Sequence, residues 1–265
     1  MLSSTLLKKL IAPTLTAICA VGVSLLQFSA LEEVEAQENK AQPKSFYIRE
    51  TNKEKANLQF LKRMPKFGYD NVIADWAFLR FLQYFGDQKA RKQVGYALST
   101  DYFEIFVDRN PQFTEPYKFM SPATSIFAGR PDKSVKLINQ GLQSLSPESS
   151  PNAYTIWISK ASDELLFLGN NQAAKNSYLQ AAKWAKNNPD PEAQRISAIV
   201  TQTAKFLSQN PDSKNVRISA WMMIFRNAVD DETRQRSIAE IEKLGAQVII
   251  TENNVVKIQF PNENQ

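Results

Sequence analysis

The 265-residue chain is 43% hydrophobic and 22% charged, a balance that suits a folded protein of one or two domains rather than a disordered one. It has no histidine and its single cysteine is Cys19, so Ser-His-Asp and Cys-His nucleophile systems, histidine-ligated metals and an intramolecular disulfide are excluded. The formal charge of +5 comes from bases interspersed with acids, without a basic stripe carrying aromatics, which argues against nucleic acid as a partner.

In chain order, Lys8 and Lys9 precede residues 10–30 (LIAPTLTAICAVGVSLLQFSA), which carry no charge, and Glu32, Glu33 and Glu35 follow. As a helix this run would measure about 31 Å, close to the hydrocarbon thickness of a bilayer. Basic before and acidic after predicts an N-terminus in the cytoplasm and the remainder exported. Residues 1–36 are therefore expected to be a signal peptide, cut after Ala30 or Ala36, or an uncleaved anchor that meets the membrane through residues 10–30. A lipoprotein signal does not fit, because Ile18 is too bulky for the position before Cys19.

Residues 37–56 are polar and read as a linker. Residues 57–245 then read as a run of helices separated by glycine, asparagine or proline. The first is VIADWAFLRFLQYF, expected to start at the Asp70-Asn71 cap, to bury a face with Ile73, Trp76, Leu79, Phe81 and Leu82, and to stop at Gly86. Next come DYFEIFVDRN to Pro111, TEPYKFMSPATSIFAG bent by Pro122 and ending at Gly129, and KSVKLINQGLQSL to Pro147. AYTIWISKASDELLFLG ends at Gly169 and QAAKNSYLQAAKWAKNN at Pro189; PEAQRISAIVTQTAKFLSQN, NVRISAWMMIFRNAV and ETRQRSIAEIEKL follow, the last capped at Asp230-Asp231. In the tail, residues 246–265, QVIITENNVVKIQF alternates β-branched residues around Glu252-Asn253-Asn254 and predicts a β-hairpin.

The punctuation recurs. Helix, glycine turn, helix and proline repeat around Gly86, Gly129 and Gly169 with a period of about 40 residues, the signature of stacked helical hairpins. After Gly169, Ala174, Tyr178 and Ala181 set a small-large-small pattern along one face of the second helix; after Gly129, Ser134, Ile138 and Gly141 repeat it at the same offsets. The copy after Gly86 is lengthened by QKARKQVGYALST. The fold class expected is all-α: a tetratricopeptide-like solenoid with a hydrophobic N-terminal helix and a small C-terminal β-hairpin. DNVIADWAFLRFLQYFGD and the pair DELLFLG and AAKNSYLQAAKWA resemble a group of mostly uncharacterised tetratricopeptide-like proteins of cyanobacteria. That resemblance implies a thylakoid or cell-membrane setting with the domain in the lumen or periplasm, and it supplies no catalytic residues.

Trp76, Phe78 and Tyr84 are candidates for contact with a partner or a membrane, against the plainer role of core packing. Asp163, Glu164 and Lys160 could do acid-base work only in a cleft shared with Asp75, and are otherwise a surface charge pair; Lys89, Arg91 and Lys92 read as an exposed loop. No phosphate loop, paired-acid metal motif or serine elbow occurs, and no cofactor is expected. The function expected is a tethered or exported scaffold that binds a protein partner, in assembly or maintenance of a membrane complex, and not an enzyme. The alternative is a module that binds a pigment or lipid in a pocket lined by Trp76, Phe85, Trp157 or Trp221.

Overall fold

The computed structural model describes residues 19, 21–24, 42–209, 214–228, 230–250 and 256–260. The chain divides into two units, Met1–Phe46 and Tyr47–Gln265. In the first, Cys19 is exposed and, like residues 21–24, helical; the rest of the expected signal or anchor lies outside the described residues.

From Lys44, three residues before the second unit begins, the described chain is mainly helical. The helices are α1 (Lys44–Arg63), α2 (Asp70–Gly86), α3 (Gln88–Val94), α4 (Ser99–Arg109), α5 (Tyr117–Met120) and α6 (Pro131–Leu142). Then come α7 (Tyr154–Ser162), α8 (Asn171–Lys186), α9 (Pro191–Gln209), α10 (Lys214–Asn227) and α11 (Asp231–Lys243). Strand β1 (Gln247–Ile250) pairs antiparallel with β2 (Val256–Gln259), Val248 opposite Ile258; the residues between them lie outside the described residues.

α1 corrects the expected linker of residues 37–56, since the chain is helical from Lys44 onward. Its sequence is too polar to show an apolar stripe. Leu58 is its buried anchor, and buried Glu54 accepts from Arg80 Nη2 of α2 and from the Tyr102 hydroxyl of α4, each at 2.6 Å. Burial alone would raise the Glu54 pKa, but the hydrogen bonds from Arg80 and Tyr102 outweigh it and hold the carboxyl below its usual value. Buried Arg109 of α4 closes the other end: it donates to Asp70 Oδ1 at 2.9 Å and to the Leu61 carbonyl at 3.0 Å. Asp70 is thus the first residue of α2, tied to Arg109, and not the expected side-chain cap.

α2 packs on α4 through Ala74, Ala77, Phe81 and Tyr84, with the Phe81 and Phe103 ring centroids 4.7 Å apart. The main core gathers these residues with Leu58, Phe106, Tyr117 and Ile138; a second core lies among α7, α8 and α9. Trp157 packs against both. A third holds Ile218, Trp221 and Ile224 of α10 with Ile241 of α11, and Ile126, Phe167 and Val248 pack against it, so β1 lies on the helices.

Two helices end in wider turns than an α-helix makes. α5 runs into a π-helical segment, Ser121–Phe127, and α7 into another, Asp163–Phe167. The backbone closures match at the same offset in the chain: Ala128 N donates to Ala123 O at 3.1 Å as Leu168 N does to Asp163 O, and Arg130 N donates to Thr124 O at 2.8 Å as Asn170 N does to Glu164 O at 2.7 Å. Gly129 and Gly169 follow, both at φ +65, where a side chain is strained. A long cation lies over each glycine. Arg236 of α11 donates to the carbonyls of Ile126 and Phe127 at 3.2 and 3.0 Å, and Arg217 of α10 donates to that of Leu166 at 3.4 Å. A Cβ on Gly129 would fall 2.4 Å from Arg236 Cζ.

Candidate functional site

α2 is apolar on both of its faces, whereas a surface helix normally keeps one face polar. The inner face buries the small residues Ala74 and Ala77 together with Phe81 and Tyr84. Other bulky residues point the other way: Tyr69 (68% exposed), Val72 (63%), Trp76 (42%) and Leu79 (61%) follow one another at i, i+3, i+7 and i+10. This reverses the expected inner face in all but Phe81 and the half-buried Ile73. The stripe is edged by exposed Asp75 and by Arg80, whose guanidinium lies 5.8 Å from the Trp76 ring.

Of the three aromatic contact candidates, Trp76 is on this surface and the other two are corrected. Phe78 is half-buried between Phe113 and Phe119, at ring separations of 5.7 and 5.8 Å. Tyr84 is buried: its hydroxyl accepts from Leu98 N at 3.1 Å, the Arg91 guanidinium lies 3.7 Å from its ring centroid, and burial pushes its pKa up to about 12. Arg91 is itself buried in α3 rather than exposed on a loop, its Nη1 donating to the Gly95 carbonyl.

The residues read as a repeated small-large-small pattern all lie inside. Ser134, Ile138 and Gly141 of α6 and Ala174, Tyr178 and Ala181 of α8 are buried, and the burial of residues 131–142 is matched position by position by that of residues 171–182. Gly141 has a specific cause. A Cβ there would lie 1.7 Å from the Tyr117 hydroxyl, which donates to Pro111 O at 3.0 Å.

Between these helices lie two buried polar groups, in place of the expected solvated pair. Asp163, 0% exposed, accepts from Ser121 Oγ and from Ser134 Oγ, each at 2.6 Å, so one carboxylate joins its own helix to both helices of the preceding hairpin. Burial, only partly offset by the serines and reinforced by the neighbouring Glu164 charge, pushes its pKa up to about 6. On the other side Lys160 Nζ donates to Glu164 and, at 2.7 Å, to Ser177 Oγ, which donates to Glu164 Oε2 at 2.6 Å. Lys160 also sits 5.5 Å from the Trp157 ring centroid. Both sets are shut from solvent, while Asp75 is exposed on α2; the cleft that acid-base chemistry would need does not join them. The four aromatics expected around a ligand also do not converge. Trp221 meets Phe167 edge-on in the third core, Phe85 meets Tyr96 at a tilt and Phe127 edge-on, Trp157 meets Trp184 edge-on, and Trp76 faces solvent.

Among the described residues no group of three or more His, Cys, Asp or Glu could hold a metal, and no helix is long and apolar enough to cross a membrane. No protein-family model, no curated protein and no solved structure matches the chain.

Proposed function

We propose that residues 57–245 form a tetratricopeptide-like solenoid, related to the cyanobacterial group it resembles, that serves as a membrane-tethered or exported scaffold for a protein partner. The observation that carries this reading is the identical burial of residues 131–142 and 171–182, each preceded by the same π-helical closure and left-handed glycine. Two hairpins built alike and stacked through buried side chains leave like surfaces side by side, which suits an extended peptide or helix and needs no reactive group. The uncharged run of residues 10–30 supports the tether and export to the periplasm or thylakoid lumen. The buried, unshared positions of Asp163 and Lys160 support a binding role over an enzymatic one.

Site-specific photo-cross-linking of the full chain in its native membranes tests this. Cross-linkers at the exposed pair Lys136 and Asn176 occupy equivalent places on α6 and α8, and a second set at exposed Glu115 and Thr155 lies at the same offset before Gly129 and Gly169. A scaffold of like units gives adducts to one protein from both members of a set. Adducts from one member alone, or none from either set, would count against it.

A further inference from the structure

The exposed stripe of α2 has the spacing of a coiled-coil seam. Tyr69, Val72, Trp76 and Leu79 fall at successive a and d positions of a heptad, and exposed Gln83 takes the next a. In the same register Asp75 is a g residue and Arg80 the following e residue. We propose that this face of α2 is a self-association surface that docks on the same face of a second copy of the chain, with the two helices parallel.

Charge decides both the partner and the direction. In a parallel pair the g residue of one helix meets the e residue five positions on in the other, so Asp75 meets Arg80 of the second copy and the contact occurs twice about the two-fold axis. In an antiparallel pair g faces g and e faces e, so Asp75 would not meet Arg80. Arg80 is already held at the edge of the seam, by Glu54 at 2.6 Å and Gln83 at 3.2 Å, with 41% of its side chain still exposed.

The seam spans about 15 Å of helix, too short to hold two free peptides together. Here α2 is already fixed by its inner face, so pairing carries no cost of helix formation. The pair is accordingly weak in solution and gains from any tether that confines both chains. The pairing itself does not depend on the scaffold reading.

The test uses the full chain with Cys19→Ser, in detergent and in vesicles, carrying either Val72→Cys or Leu79→Cys. A short bismaleimide should join Val72→Cys chains to each other and Leu79→Cys chains to each other. Leu79→Glu, at an exposed position, should weaken association at least tenfold by sedimentation, and Asp75→Lys should weaken it several-fold, with the circular dichroism spectrum retained. Cross-links only in mixtures of the two cysteine variants would mean antiparallel pairing and overturn the proposal. So would a chain that stays monomeric in detergent at about 100 µM and yields no dimer cross-links in vesicles. Quenching by brominated lipid that disappears in Trp76→Phe would assign the face to the bilayer instead, and overturn it as well. Should Leu79→Glu fail to fold, the cysteine pairs still decide the question.

Discussion

Replacing Asp163 by asparagine isolates the cost of a charge sealed between two hairpins. The carboxylate is 0% exposed and accepts one serine on each oxygen at 2.6 Å, yet its pKa is pushed from 3.8 up to about 6. The folded state therefore holds this proton more tightly than the unfolded chain. As pH rises from about 4 through 6, the unfolded state has released the proton and the folded state has not, so stability falls across that window and is level above it. A shift of about two units corresponds to about 3 kcal/mol. The groups that face Asp163 are Ser121 and Ser125 of the π-helical segment, Ser134 of α6 and Glu164 beside it. Of these only Glu164 is a charged residue, and its charge adds to the penalty.

The Asp163→Asn side chain would keep the shape and carry no charge. Its carbonyl accepts from one serine, and its amide donates to the other, whose hydroxyl can turn to accept. Urea unfolding of wild type and Asp163→Asn, followed by tryptophan fluorescence from pH 4 to 8 in the same detergent, gives the difference at each pH and cancels the other carboxylates. The variant should gain on the wild type by about 3 kcal/mol between pH 4 and 7. Asp163→Leu, which orphans both serines, should lie about 2–5 kcal/mol below Asp163→Asn at every pH. A difference between Asp163→Asn and wild type that does not change with pH would refute the argument, because the Asp163 pKa would then be the same in the folded and the unfolded chain.

Three further substitutions probe the same architecture. Gly141→Ala drives a methyl into the Tyr117 hydroxyl and should cost about 1–3 kcal/mol in thermal unfolding, recovered in part by Tyr117→Phe. Glu164→Gln leaves the buried Lys160 ammonium without its counter-charge and should cost about 3–5 kcal/mol, whereas replacing both residues by apolar ones should cost much less. Glu54→Gln should cost about 1–3 kcal/mol at pH 7. Because the Glu54 pKa is lowered on folding, its contribution is present above 4.5 and lost as pH falls through the folded value, so the Glu54→Gln difference should shrink in acid, the opposite of Asp163.

The helices after α3 could be read from punctuation because their ends are made locally. Gly129 and Gly169 adopt the left-handed conformation that closes a helix, and Asp230 caps α11 by accepting from Thr233 N at 2.7 Å. The π-helical segments were not legible. Their sequences follow the same apolar spacing as the helices they extend, and the wider closure depends on what lies beneath it, Asp163 in one case and its serine partners in the other. The inner face of α2 was misjudged for a related reason. Bulk alone does not mark a core residue: Ala74 and Ala77 are buried beside Phe81 and Tyr84, while Trp76 and Leu79 on the opposite side are exposed. Arg217 and Arg236 carried no signal either, since the carbonyls they reach lie far back in the chain.

Charge inside and apolar bulk outside are opposite departures from the usual partition, and each has its own physical reason. Asp163 accepts one serine from each helix of the preceding hairpin, so sliding that hairpin by one turn would leave a carboxylate and two hydroxyls buried without partners. An apolar contact there would tolerate the slide. The buried carboxylate therefore fixes the register of the stack at a cost in stability that the aromatic core, with Phe81, Phe103, Phe106 and Tyr117 in edge and tilted contact, is large enough to offset. The outer stripe of α2 has no such compensation within one chain. Its side chains do not tighten the core, and their exposure carries a solubility cost. A second α2 brought in parallel removes that cost, and it sets the exposed part of Arg80 in one chain beside Asp75 of the other.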